Sequence, residues 1–329
     1  MKIMRFIGIV FALFSAGSPS DTSAQDSGKK YKVYMVSNSH LDTQWRWDVK
    51  ATIDDYLYNT AVQNLALLEK YPHYVFNFEG AVKYEWIKEY YPHLFERIRK
   101  FVADGRWNIS GASFEANDPN MPSSESFIRN ILLAQEFYKK EFGIKSKDMF
   151  LPDCFGFSQV MPTLGHHCGL IGFSTQKLSW RTEPLVGDSK TPFPIGLWEG
   201  VDGARIMVAL EPGRYSWNEF PEGDLSANEE LAESARKSPF GIAYRYYGNK
   251  LANGAGDHGG SALPRSIQLL EEGITNGKGP VQLVSATSSQ LYEDYMPYGN
   301  HPELPVFVGE MPLDVHAPGC YTSQAEMKR

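Results

Sequence analysis

Cysteine is scarce in this sequence: three in 329 residues, Cys154, Cys168 and Cys320. So sparse and odd a set excludes a disulfide-built scaffold, and none of the three forms the Cys-x-x-Cys word of a zinc ribbon. One disulfide after export stays compatible with the pattern, with no pair preferred. Excess positive charge is missing as well. Thirty-two Lys and Arg against 39 Asp and Glu leave a net charge of −7, and with no basic stripe a nucleic-acid partner is not expected. The apolar stretch Phe6–Phe14 is too short to span a bilayer comfortably. Internal repeats and low-complexity runs are absent, which excludes solenoids and fibrous classes. With 42% hydrophobic and 22% charged residues, the composition is that of a globular protein, long enough for one large barrel or two smaller domains.

Aromatic residues are plentiful: seven Trp, 18 Tyr and 19 Phe, 13% of the chain. They suit a large core first, and also a surface on which sugar rings stack. At the N-terminus Lys2 and Arg5 precede Phe6–Phe14 and a stretch of small residues. That order reads as a secretory signal peptide over residues 1–24, with cleavage after Ala16 or Ala24. Residues 25–30 read as a polar tether. The expectation is an exported protein, periplasmic or extracellular, with no membrane span once the signal is removed.

Beyond the tether, short apolar segments alternate with longer stretches of helical spacing. Strands are expected at Tyr31–Val36, Tyr74–Phe78, Arg106–Ser110, Lys147–Leu151, Gly172–Gln176, Leu197–Leu210 and Val281–Thr287. Helices are expected at Asp55–Tyr71, Val82–Asp104, Ser123–Tyr138 and Met161–Cys168, the third opened by Ser and Glu residues that suit a helix N-terminus. This β-then-α rhythm predicts a parallel α/β sheet or barrel. Glu183–Pro194 and Glu211–Asn228, rich in Pro and Gly, read as long loops near the active face.

Three short words carry chemistry: His40-Leu41-Asp42, Leu151-Pro152-Asp153 and Asp314-Val315-His316. Together they offer two imidazoles and two carboxylates, a set that one divalent metal can use. His40 and Asp42 lie two positions apart just after the first strand, so both point the same way from its carboxyl end. Active centres of α/β barrels sit at such strand ends. Two of these words have a plainer use, His40 as a structural histidine and Asp153 as a turn or cap residue, and the separate stretch Gly256-Asp257-His258-Gly259-Gly260 reads likewise as a surface turn. His166 and His167 compete as metal ligands, but adjacent residues on a helix point about 100° apart, so the pair reads as structural.

Five stretches, in order, resemble glycoside hydrolase family 38, the α-mannosidases: HLDTQW (40–45), LPDCFGFSQVMP (151–162), FSTQKLSW (173–180), GDHGG (256–260) and HAPGCYTSQ (316–324). The resemblance implies a seven-stranded (β/α) barrel-like glycoside hydrolase domain over residues 31–329. It implies one zinc ion held by His40, Asp42, Asp153 and His316, although calcium or cobalt also suits so oxygen-rich a set. It makes Asp153 the nucleophile as well as a ligand, and Asp257 the general acid/base. Trp45 and Lys177 then fall in the subsite for the mannose being cleaved. Glu115 and Asp118 are further carboxylates that either face the same cleft or cap loops. The implied partner is a mannose-containing glycan; no sequence feature specifies an oligomer.

Two departures accompany the resemblance. Relatives usually continue for hundreds of residues into a helical bundle and β domains, so a catalytic domain cut short at its C-terminus is expected. The word HAPGCYTSQ has Ala-Pro where relatives more often carry a basic residue and Gly. The rival readings are a metal-dependent polysaccharide deacetylase, against which the lack of a His-x-x-x-His word counts, and a catalytically impaired sugar-binding remnant.

Overall fold

The computed structural model describes residues 28, 30–179, 191–248, 257–299 and 301–312. The signal peptide, four of the six tether residues, most of the 183–194 loop, Gly256, His316 and Cys320 lie outside the described residues.

The chain opens with strand β1 (Tyr31–Asn38), then α1 (Val49–Ala51), a π-helical turn (Thr52–Leu57) and α2 (Tyr58–Lys70). Next come β2 (Phe76–Glu79), α3 (Ala81–Tyr90), α4 (Pro92–Ala103) and β3 (Trp107–Ser110). The long α5 (Ser124–Phe142) leads to β4 (Asp148–Phe150), α6 (Val160–His167) and β5 (Gly172–Ser174). Strands β6 (Ile195–Glu199) and β7 (Arg205–Ala209) precede α7 (Glu229–Arg236) and β8 (Ile242–Gly248). The last elements are α8 (Pro264–Asn276), β9 (Val281–Ser285), α9 (Gln290–Tyr295) and β10 (Val306–Val308).

Local chemistry accounts for the boundaries. Ser123 caps α5 by accepting the Ser126 N–H, and Gly143 closes the helix in the left-handed conformation with its N–H on the Lys139 carbonyl. The helix expected over 82–104 is two helices: Pro92 starts α4, and Tyr91 before it leaves helical geometry at φ −132°, ψ 55°. The region expected as strand over 197–210 is part of a hairpin, because Gly203, at φ +81°, turns the chain between β6 and β7.

Among the described residues ten strands form two five-stranded sheets, not the single seven-stranded barrel expected. The first runs β3-β2-β1-β8 with β9 also on β1, every pairing parallel. The second runs β10-β6-β7-β5-β4 and is mixed, because the β6–β7 hairpin is antiparallel. Strands β3 and β4 meet at the seam without a ladder: the chain bends at Gly111 (φ +68°), and the Ala112 N–H reaches the Asp148 carbonyl at 2.9 Å.

Strand β1 is the axis of the first sheet. Val33 and Met35 pack into the cluster with α2, α4 and α8, while Tyr34 and Val36 enter the cluster with β7 and β8. Both faces of β1 are therefore buried, which is why its sequence is nearly continuous apolar and does not alternate. Each such side chain contributes about 1.5–3 kcal/mol. No helix among the described residues is long and apolar enough to cross a membrane.

Candidate functional site

Two residues beyond the end of β1, His40 is held by its backbone. Its carbonyl accepts the Gly259 N–H at 3.0 Å, and the Asp42 N–H donates to the Asp257 carbonyl at 2.8 Å. Leu41 and His258 complete a short antiparallel bridge. The segment after β8 is thus laced onto the end of β1, which brings Asp257 beside His40 and Asp42.

The glycines of the GDHGG word make this possible. Gly259 lies at φ +75°, and a Cβ there would stand 2.2 Å from Thr60 Oγ1 on α2. The Gly260 N–H donates to that same hydroxyl at 2.8 Å, and the Gly260 carbonyl accepts from Ser39 and Asn64, both at 2.8 Å. Asp257 itself lies at φ +73°, a left-handed conformation that Asp tolerates better than most residues. The Tyr215 hydroxyl, from the loop after β7, donates to Asp257 Oδ1.

The second sheet supplies the other half. Asp153 follows β4 and Lys177 follows β5, and the Lys177 ammonium is ion-paired with Asp153 Oδ1. Lys177 is fully buried, with Nζ 4.9 Å from the centre of the Phe155 ring. Across the seam, His40 Nε2 stands 3.2 Å from Asp42 Oδ1 and 3.6 Å from Asp153 Oδ2. On its other side, His40 Nδ1 lies 3.2 Å from Glu79 Oε1 at the end of β2. A carboxylate oxygen only accepts, so the ring donates there.

Electrostatics follows from this crowding. Burial disfavours the His40 cation, but Asp153, Asp42 and Glu79 outweigh it and hold the imidazole well above its usual range. For Asp153 burial acts upward, yet the hydrogen bond from His40 and the Lys177 charge prevail and keep the carboxyl below its usual value. Burial moves Lys177 downward against the pull of Asp153. Asp257 goes the other way from Asp153: burial raises it, and His40 and Tyr215 only partly compensate. One acid biased toward ionisation and a nearby acid biased toward protonation is the arrangement that paired acid/base chemistry requires.

A cavity of about 280 Å³ opens beside these groups, lined by His40, Asp42, Glu79, Glu115, Asp118 and Asp153 among others. Glu115 is raised, chiefly by burial. Asp118 Oδ1 accepts the Asn120 and Met121 N–H groups, so it shapes its turn as well as facing the cleft. The donor chemistry fits a divalent cation: ligand atoms of His40, Asp42 and Asp257 lie within 4.8 Å of one another, with Asp153 against the same imidazole nitrogen.

The structure therefore brings together His40, Asp42, Asp153, Lys177 and Asp257. His316 lies outside the described residues. Trp45 is half exposed, with the Arg46 guanidinium 4.2 Å above its ring and Trp47 6.1 Å away, and it is not among the residues lining the cavity. The rings of His166 and His167 are set at 87° to each other, and His167 pairs with Asp202 at 2.7 Å on the surface. Glu79, Lys83 and Tyr215 were not foreseen.

Fold and site define an α/β protein with a cation-competent, carboxylate-rich cleft at the carboxyl ends of parallel strands. The chain belongs to glycosyl hydrolases family 38, whose N-terminal-domain model matches residues 30–310. It is similar to alpha-mannosidase G of Dictyostelium discoideum, 32% identical over 307 residues, covering 93% of this chain and 27% of that protein. It is also similar to alpha-mannosidase 2C1 of Homo sapiens, 31% identical over 302 residues, covering 91% of this chain and 27% of that protein. The chain thus spans about a quarter of the length of these relatives. The crystal structure of an alpha-mannosidase from Enterococcus faecalis V583 shares the fold, with a TM-score of 0.67 at 22% identity over 86% of this chain and 31% of that one.

Proposed function

We propose that the chain is the catalytic portion of an exported, metal-dependent, retaining α-mannosidase that hydrolyses terminal α-mannosides of glycans. The observation that carries the reading is the meeting of two unlike acids at one imidazole, Asp153 biased to its anion and Asp257 biased to its acid. The finer architecture we infer is a barrel-like closure of the two sheets through the Ala112–Asp148 contact between β3 and β4.

His40, Asp42 and Asp153 would hold a zinc ion, with His316 as the further ligand, and the ion would polarise sugar hydroxyls and favour the cis pair of mannose. Asp153 attacks the anomeric carbon as the glycosidic C–O bond breaks, and Asp257 gives its proton to the departing oxygen. Asp257, now a carboxylate, takes a proton from water as the water oxygen bonds to the anomeric carbon and Asp153 leaves. Lys177 stabilises the Asp153 carboxylate before it attacks and as it leaves, and Tyr215 orients Asp257 through its hydroxyl. Trp45, half exposed, would offer its ring to the sugar.

The clustering of Asp257 with His40 and Asp42 favours a second reading, in which Asp257 is a metal ligand. Asp257→Asn separates the two. As the acid/base, the variant keeps zinc affinity and loses about 10²–10⁴-fold in rate on poor leaving groups; as a ligand, it loses zinc. The proposal as a whole is tested by hydrolysis of an aryl α-mannoside after chelation, with and without added zinc. Zinc-dependent release is expected, and zinc binding without release would overturn the catalytic reading. N-terminal sequencing of the secreted protein tests export, which predicts a start after Ala16 or Ala24.

A further inference from the structure

His40 is fixed from a side that the chemistry of hydrolysis does not touch. Glu79 ends β2, and Lys83 sits one turn into α3, four residues later. Both are buried, Glu79 at 4% and Lys83 at 0% exposure. The Lys83 ammonium stands 3.9 Å from Glu79 Oε1, an ion pair beyond hydrogen-bond reach, and 5.7 Å from the centre of the Phe78 ring. Its Nζ has no hydrogen-bond partner among the described residues. The turn that allows this is Gly80, at φ +87°, where the Lys83 side chain lies 3.4 Å from the position a Cβ would take.

A buried ammonium without hydrogen bonds is costly, and it is retained only where a nearby anion uses its charge. The Lys83 charge acts on Glu115 as well, but its ion-pair partner is the Glu79 carboxylate, which accepts from His40 Nδ1 at 3.2 Å. With its proton on Nδ1, the ring turns Nε2 toward Asp42 and Asp153. Metal-binding histidines depend on such partners for ring orientation and tautomer.

We propose that Glu79, backed by Lys83, is the positioning residue that keeps a proton on His40 Nδ1 and turns Nε2 toward the acids, and so sets the cation affinity of the site. The consequence for affinity rests on the metal-binding part of the proposed function; the orientation of the ring does not.

The test uses the full chain after chelation, titrated with zinc against a chromophoric chelator, with histidine ring nitrogens followed by ¹⁵N NMR. Glu79→Ala is expected to weaken zinc binding about 10–100-fold and to lose the Nδ1–H signature of His40. Glu79→Gln keeps a carbonyl acceptor and should recover most of the affinity. Lys83→Met should weaken binding in the parent but little in the Glu79→Gln background, since a neutral amide needs no counter-charge. A merely structural role would shift melting temperatures without this rescue or this coupling. If Glu79→Ala does not fold, the coupling between Glu79→Gln and Lys83→Met carries the test. Equal zinc affinity in the parent and Glu79→Ala, or equal losses in all variants, would overturn the proposal. A parent that binds no zinc would sink the metal reading of the site. The positioning claim would then stand if Nδ1–H is present in the parent and lost in Glu79→Ala, and fall if the two spectra agree.

Discussion

The two sheets build unlike halves of one cleft. The first sheet is wholly parallel, and its contributions are held by backbone: Asp42 and Asp257 exchange a main-chain hydrogen bond, and His40 accepts the Gly259 N–H. The second sheet is mixed, and its contributions, Asp153 and Lys177, are tied to each other by charge. The first half therefore fixes geometry, and the second fixes an ionisation state. A substitution in one should fail differently from a substitution in the other.

The largest expected effect belongs to the second half. Asp153→Ala removes the proposed nucleophile and the carboxylate paired with the buried Lys177, so turnover should fall at least about 1,000-fold, with zinc affinity falling too. Full hydrolysis by this variant would break the division of labour.

The seam between the sheets comes next. Burial raises Asp148, at the start of β4, from 3.8 to about 6, and hydrogen bonds from neighbours including Gly111 and Ser146 only partly offset it. Between those values the folded chain binds more protons than the unfolded one, so stability falls as pH rises across this window. The integrated loss is about 3 kcal/mol and is complete above the folded-state value. Asp148→Asn should remove this slope. Denaturant midpoints at pH 4 and pH 7 measure it, and parent and variant curves that run parallel would show that Asp148 does not titrate at the seam.

The smallest effect concerns the backbone lacing of the first half. Gly259→Ala forces a Cβ against Thr60 at a left-handed position, which should cost about 2 kcal/mol in urea unfolding. Activity should fall along with stability, because Asp257 is carried on the same segment. A variant as stable as the parent would mean that the lacing is loose.

Much of this site was readable in the chain because its signals are local. His40 and Asp42 follow an apolar strand at alternate positions, Asp153 follows another, and the glycines beside Asp257 mark a close approach. Glu79 and Lys83 gave no such signal: an acid before a glycine reads as a turn, and a lysine four residues on reads as a solvated helix face. Their meaning comes from pairing β2 with β1, which no local period encodes. Tyr215 was hidden in a segment that reads as loop, although its hydroxyl reaches Asp257. In the fold, Tyr91-Pro92 and Asp202-Gly203 were legible breakers within the expected 82–104 helix and the expected 197–210 strand. Strand β8 was missed because its run of Tyr, Arg and Tyr lacks a continuous apolar pattern, although Ala243, Tyr244, Tyr246 and Tyr247 are all buried.

The central claim is that Asp153 forms a bond to the sugar while Asp257 serves the leaving group. Incubation of the zinc-loaded chain with a fluorinated α-mannosyl fluoride, followed by proteolysis and mass spectrometry, tests it most directly. The account predicts one fluoromannosyl label, on the peptide carrying Asp153, and release of α-mannose from unmodified substrates. A label on Asp257, or product of inverted configuration with no label, would contradict it.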